Sequence, residues 1–206
     1  MLIDHLSIIG VGLIGGSLAR ALRKAKFVNR VTGCNRNEDT LKKAIELDVI
    51  DDYSLNIEDA VAGADVVVIG TPLSTTEKIF PQIVASLKSS AVLTDVGSAK
   101  GSVVITAKKI MGDNFSHFVP GHPIAGTEQS GVEASFAELF IDHRVILTPL
   151  DVTDASAHKL ITKMWQVVGA EVINLDVKHH DDVLAATSHL PHMLAYALVD
   201  CLAGMQ

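Results

Sequence analysis

The sequence predicts an α/β fold, a doubly wound and mostly parallel sheet with helices on both faces. Three observations carry this. Short apolar runs alternate with helix-like stretches along the chain. A glycine-rich turn lies between the first apolar run and the first helical stretch. Turn residues then follow the ends of several later runs, where open α/β sheets bind their ligands.

Taken in order, residues 5–10 read as a buried strand and 13–22 as an amphipathic helix. Strands follow at 30–34, at 64–70 (with Asp65-Val66-Val67-Val68-Ile69), at 91–95 and at 144–147. Helical patterns fall near 40–47, 75–87, 101–110 and 155–168. This alternation is that of a parallel sheet covered on both faces. Thr71-Pro72, Gly97-Ser98 and Gly121-His122-Pro123 stand at strand ends and are expected to face one crevice. From residue 176 the texture changes. Residues 179–205 read as one long helical stretch, broken or kinked at Pro191, with Leu194, Leu198 and Leu202 on an apolar face. Such a face suggests the first helix of a second, α-helical domain; the alternative is a terminal helix docked on the sheet.

Composition excludes several classes of function. With 48% apolar and 20% charged residues among 206, a sizeable core is expected and disorder is not. A net charge of -7 without basic clusters argues against nucleic acid and anionic membranes as partners. Cys34 and Cys201 are too far apart in sequence for a disulfide framework or a zinc motif, which fits a reducing cytoplasm. Residues 1–5 lack the features of a signal peptide. No apolar run reaches the roughly 18 residues that span a bilayer.

The glycine turn is Gly10-Val11-Gly12-Leu13-Ile14-Gly15. Gly10 permits the tight turn, Gly12 lets backbone approach a pyrophosphate, and Gly15 lets helix and strand pack closely. The first N–H groups of the following helix, with its dipole, favour an anion. Within a strand-turn-helix context at the chain start this is a dinucleotide signature, and the fold is Rossmann-like. Residues 1–175 are therefore expected to form the dinucleotide-binding domain and 176–206 the start of the helical one. The ribose should be met at the end of the second strand. An NAD enzyme usually places a carboxylate there; this chain has Asn35 followed by Arg36, which admits a 2′-phosphate. NADP and NAD both remain open. Thr71 and Pro72 are expected to line the cofactor cleft.

His122, in a Gly/Pro-rich loop at a strand end, is a candidate proton acceptor for hydride transfer, titrating near neutrality. Ser98 is placed to hydrogen-bond the same oxygen or to orient His122. The cluster His179, His180, Asp181, Asp182, His189 and His192 could be read as metal ligands, but Pro191 spoils the helical spacing and no third ligand is clearly placed. No metal is expected, and these histidines are read as solvated or capping.

Together, Gly10–Ser17, the His122-Pro-Ile-Ala-Gly-Thr-Glu128 run with its Ser130-Gly131, and Ser188-His189-Leu190-Pro191-His192 resemble the prephenate/arogenate dehydrogenase family of tyrosine biosynthesis. The resemblance covers nearly the whole chain. It implies NAD(P)-dependent oxidative decarboxylation of prephenate (or arogenate) to 4-hydroxyphenylpyruvate (or tyrosine). It implies that His122 takes the ring hydroxyl proton, that Ser98 bonds that hydroxyl and the histidine, that Thr127 and Glu128 stand at the site entrance, and that Ser188 and His189 line the substrate pocket. It further implies a homodimer made through a helical domain of roughly another hundred residues, which supplies an arginine for the ring carboxylate; this chain is expected to lack most of it. Two alternatives stand beside this reading: a nucleotide-binding module or inactive paralogue, and a dehydrogenase of the hydroxyacid type.

Overall fold

The computed structural model describes residues 2–205. Its main sheet is six-stranded and wholly parallel. The strands are β1 (Ile3–Ile9), β2 (Val28–Cys34), β3 (Asp52–Ser54), β4 (Val66–Ile69), β5 (Val92–Asp95) and β6 (Phe118–Val119), in the spatial order β3-β2-β1-β4-β5-β6. This is the dinucleotide-binding order, with the switch in direction between β1 and β4. Helices α1 (Leu13–Lys24), α2 (Glu38–Glu46), α3 (Ile57–Val61), α4 (Thr76–Ser86) and α5 (Gly101–Met111) connect the strands.

The apolar runs of the sequence become strands buried on both faces, because alternate side chains enter two separate cores. Val66 and Val68 pack on the face that holds Phe140 and Trp165. Val67 and Ile69 pack on the other, with Phe80 and Phe118. Both aromatic pairs meet edge to face, at centroid separations of 5.1 Å and 5.8 Å, an arrangement the ring quadrupoles favour.

A second sheet of three strands, β7 (Gly121–Pro123), β8 (Arg144–Leu147) and β9 (Glu171–Asn174), follows β6 in the chain. The run at 144–147, read as part of the main alternation, belongs instead to this sheet: β8 pairs antiparallel with β7 and parallel with β9. Pro120, which has no N–H to give a ladder, separates β6 from β7. Helix α6 (Ala155–Val167) joins β8 to β9.

The carboxyl-terminal stretch is two helices, α7 (Val177–Leu184) and α8 (Leu190–Ala203), joined by a wide π-type turn over Ala185–His189. The expected disturbance at Pro191 falls a turn earlier, because a proline in the first turn of α8 gives no N–H to the carbonyls that precede it. Helix α8 does not dock on the sheet. Every residue from Leu190 to Met205 is exposed, with Leu194 at 57%, Leu198 at 66% and Leu202 at 65%. Among the described residues, no helix is long and apolar enough to cross a membrane.

Candidate active site

Three strand ends lie side by side along the carboxyl edge of the main sheet. Ile9 is in register with Ile69, and Ile69 with Asp95. The Gly121 N–H then reaches the Asp95 carboxylate at 3.3 Å, bringing β7 to the same edge. The glycine turn, Thr71-Pro72, Gly97-Ser98 and His122 therefore share one side of the molecule.

The glycine turn is built by backbone approach. Gly10 has φ +102°, and a Cβ there would stand 2.7 Å from the Gly70 backbone. A Cβ on Gly15 would stand 2.6 Å from the Gly10 carbonyl oxygen. Gly12 differs: a Cβ there meets nothing within 4 Å. The space above it is open, as a pyrophosphate would need. Helix α1 has no side-chain cap and no acidic residue in its first turn. By contrast α2, α3, α6 and α7 are capped by Asn37, Asn56, Asp154 and Asp176. The N–H groups of Leu13, Ile14 and Gly15, which a helix start leaves without backbone acceptors, are thus left for an anion. At the end of β2, Asn35 is half-buried and its Oδ1 accepts the Arg36 N–H at 2.9 Å. The Arg36 side chain is exposed and forms no ion pair among the described residues. Thr71 is half-buried; its Oγ1 accepts the Thr75 hydroxyl at 3.0 Å, and Pro72 is exposed beside it.

His122 sits within β7, in register with Ile146, rather than in a loop. Its Nδ1 lies 2.9 Å from Nε2 of His180, a fully buried residue of α7. The Nδ1 of His180 lies 2.8 Å from Asp181 Oδ1. Asp181 also accepts the N–H groups of Lys100 and Gly101, both at 2.8 Å, and so caps α5 from a distant part of the chain. Lys100 is fully buried: its ammonium pairs with Asp95 and donates to the Gly121 carbonyl at 2.6 Å. Asp95 in turn accepts the Gly97 N–H at 2.9 Å. One polar network thus ties the β5–α5 turn, β7 and α7 together.

Burial, with Lys100, His180 and His189 adding to it, pushes the His122 imidazole down to about 3. The expectation of titration near neutrality is corrected accordingly: at physiological pH His122 is neutral because its cation would be desolvated beside a buried ammonium. Ser98 is exposed and makes no hydrogen bond to His122; the partner of the ring is His180 instead. The reading of the histidines as solvated or capping fails for His180, which is fully buried between His122 and Asp181. His179 and His192 are exposed. Thr127 and Glu128 lie exposed on the loop after β7, where Thr127 Oγ1 and Gln129 close a tight turn at 3.2 Å. Ser188 and His189 are half-buried in the π-type turn, and His189 is close enough to add to the positive potential at His122.

Residues 18–174 match the family model for the prephenate dehydrogenase nucleotide-binding domain, and residues 176–206 match that for the prephenate dehydrogenase dimerization domain. The chain belongs to the prephenate dehydrogenase family. A cyclohexadienyl dehydrogenase of Zymomonas mobilis is 39% identical over 204 residues, which is 98% of this chain and 68% of that protein. A prephenate dehydrogenase of Bacillus subtilis is 34% identical over 197 residues, 95% of this chain but 53% of that protein. The crystal structure of an A. aeolicus prephenate dehydrogenase, in complex with hydroxyphenyl propionate and NAD+, superposes with a TM-score of 0.93 at 39% identity. That match covers all of this chain and 71% of the other. The chain thus spans between about half and about seven-tenths of the length of these family members. Members of the family are oxidoreductases built on an NAD-binding Rossmann fold, and the hydroxyacid-type alternative is not favoured.

Proposed function

We propose that this chain carries the cofactor-binding and base-bearing part of an NAD(P)-dependent dehydrogenase that oxidatively decarboxylates prephenate or arogenate. One observation carries the reading. A neutral, mostly buried imidazole, with no partner on its Nε2 among the described residues, stands on the same sheet edge as an uncapped, glycine-lined helix start. The ligand named in the A. aeolicus complex supports it, since a hydroxyphenyl acid is the kind of aromatic product that such a reaction makes.

The glycine turn fits a dinucleotide: Gly10, Gly12, Leu13, Ile14 and Gly15 would hold the pyrophosphate, with Thr71 and Pro72 lining the same cleft. A bound nicotinamide supplies the hydride acceptor. The protein's own residues do the rest. His122 Nε2 accepts the proton of the ring hydroxyl as the carbinol carbon is oxidised, and loss of the ring carboxylate as CO2 leaves an aromatic product. Ser98, at the mouth of the same edge, bonds the substrate hydroxyl. Thr127 and Glu128 stand at the entrance, and Ser188 and His189 form the pocket wall. Because His122 is already neutral, its work is orientation and acceptance at a defined atom.

Arg36, without a carboxylate partner among the described residues, and Asn35, without a charge, support use of NADP alongside NAD. The exposed apolar face of α8 and the match of residues 176–206 to a dimerization domain support a homodimer through this region. The two unpaired cysteines support a cytoplasmic setting. The test is reduced-nicotinamide absorbance on mixing the protein with prephenate or arogenate and NAD or NADP. Turnover with at least one pairing is expected. Absence of turnover with every pairing, in a chain extended to the length of its relatives, contradicts the reading.

A further inference from the structure

Resting on the reading of His122 as the base, the hydrogen-bond network answers a further question: which nitrogen of that ring carries the proton. Asp181 accepts at both oxygens, from Lys100 N and Gly101 N and at the His180 Nδ1 edge. An ionised carboxylate can only accept, so the hydrogen between the two belongs to His180 Nδ1. A neutral His180 then has a bare lone pair on Nε2. That lone pair lies 2.9 Å from His122 Nδ1, so His122 Nδ1 must be the donor, and its Nε2 is left bare.

We propose that Asp181, acting through His180, is the positioning device that locks His122 in its Nδ1–H tautomer and so presents the Nε2 lone pair to the substrate hydroxyl. The charge states this needs are those the surroundings favour. Burial opposes ionisation of Asp181, but the Lys100 and Gly101 N–H groups and His180 outweigh it and hold the carboxyl below its ordinary value. Burial lowers His180, and Lys100 adds to this against Asp181 and Asp95. The groups facing His122 are Lys100, His180, His189 and Asp181, and three of the four disfavour a second proton on its ring. The opposite tautomer, Nε2–H, would require His180 to donate from Nε2 while also donating to the carboxylate, which only a buried imidazolium beside Lys100 could do.

In the reaction, the hydroxyl O–H bond breaks and an N–H bond forms at His122 Nε2, while the hydride leaves for the cofactor. Nδ1–H goes on donating to His180, whose far edge is held by the carboxylate. No proton has to move along the chain, as in the orienting role of the aspartate of a Ser-His-Asp triad.

The test is the 15N spectrum of the histidine-labelled chain at neutral pH without cofactor or substrate, with His122→Asn assigning the ring signals. The wild type should show a protonated, pyrrole-type Nδ1 and a bare, pyridine-type Nε2 at His122. Asp181→Ala should lose this signature, both nitrogens moving toward averaged shifts, and its kcat should fall on the order of a hundredfold with little change in KM. A purely structural Asp181 would leave the tautomer unchanged. A protonated Nε2 in the wild type, or a wild-type pattern kept in Asp181→Ala, overturns the proposal; if that variant does not fold, the wild-type spectrum decides alone. The spectrum needs no turnover. The expected tautomer in a protein inactive on every substrate would break the functional reading and leave the tautomer assignment standing.

Discussion

Helices α1 and α5 start at the same edge of the same sheet, yet their first turns are finished in opposite ways. The start of α1 is open: glycine-lined, without a capping side chain or acid. The start of α5 is closed by Asp181, from 80 residues along the chain. A helix start needs an acceptor for its free N–H groups. Where none comes from the protein, a ligand phosphate can take the place. Where a distant carboxylate takes it, that carboxylate becomes fixed and can orient something else. Here it orients His180, and through it His122.

Variants can break this contrast one side at a time. The largest effect is expected on the closed side. Lys100→Met leaves the buried Asp95 carboxylate unpaired and should cost about 3–5 kcal/mol of stability, read as a loss of Tm on the order of 10 °C. His122→Asn should keep the fold and the cofactor affinity but lower turnover on the order of a hundredfold or more, checked by steady-state kinetics beside a cofactor titration.

On the open side, Gly12→Ala should weaken cofactor binding by about tenfold or more, ~1.4 kcal/mol, with Tm unchanged because a Cβ there meets nothing within 4 Å. Gly15→Val, whose Cβ would strike the Gly10 carbonyl, should instead lower Tm. A joint calorimetric and thermal series separates the two glycines; equal behaviour would mean that the space above Gly12 is not the cofactor's.

Acid should act on the closed side first. His122 and His180 both have folded-state values below the 6.5 of an unfolded histidine. As pH falls from 6.5, the unfolded chain takes up protons that the folded chain refuses, so stability declines. Melting curves between pH 7 and about 4 should show this, with a shallower decline in His122→Asn. The smallest effect is expected at Arg36. Arg36→Ala should weaken NADP by about threefold to tenfold relative to NAD if the guanidinium meets a 2′-phosphate, measured by paired titrations.

The two sides were not equally legible in the sequence. The open site is local: within Gly10 to Gly15, strand end, turn and helix start are consecutive, so each glycine could be given a task before any coordinates. The parallel sheet was legible for a related reason, since its doubly buried strands are continuous apolar runs. Short elements such as β3, α3 and β7 carry too few residues to show a period, and the second sheet depends on pairings across 20 residues or more. The closed site joins Asp95, Lys100, His122, His180 and Asp181 from three separate segments; only His122 drew a catalytic role, while His180 and Asp181 were noticed only as part of a possible metal cluster. A signal for His180 was available: with Val177 and Leu184 it shares the three- and four-residue spacing of an inward helix face. Its neighbours His179, Asp181 and Asp182 masked that face by making the segment look polar and solvated.

The central claim is that the open helix start and the neutral His122 serve one hydride transfer. The most direct measurement follows reduced nicotinamide and bound cofactor together, in wild type and His122→Asn, with prephenate or arogenate as substrate. The account predicts equal cofactor occupancy in both proteins, and turnover in the wild type that is lost in the variant. Undiminished turnover by His122→Asn at full occupancy would contradict it.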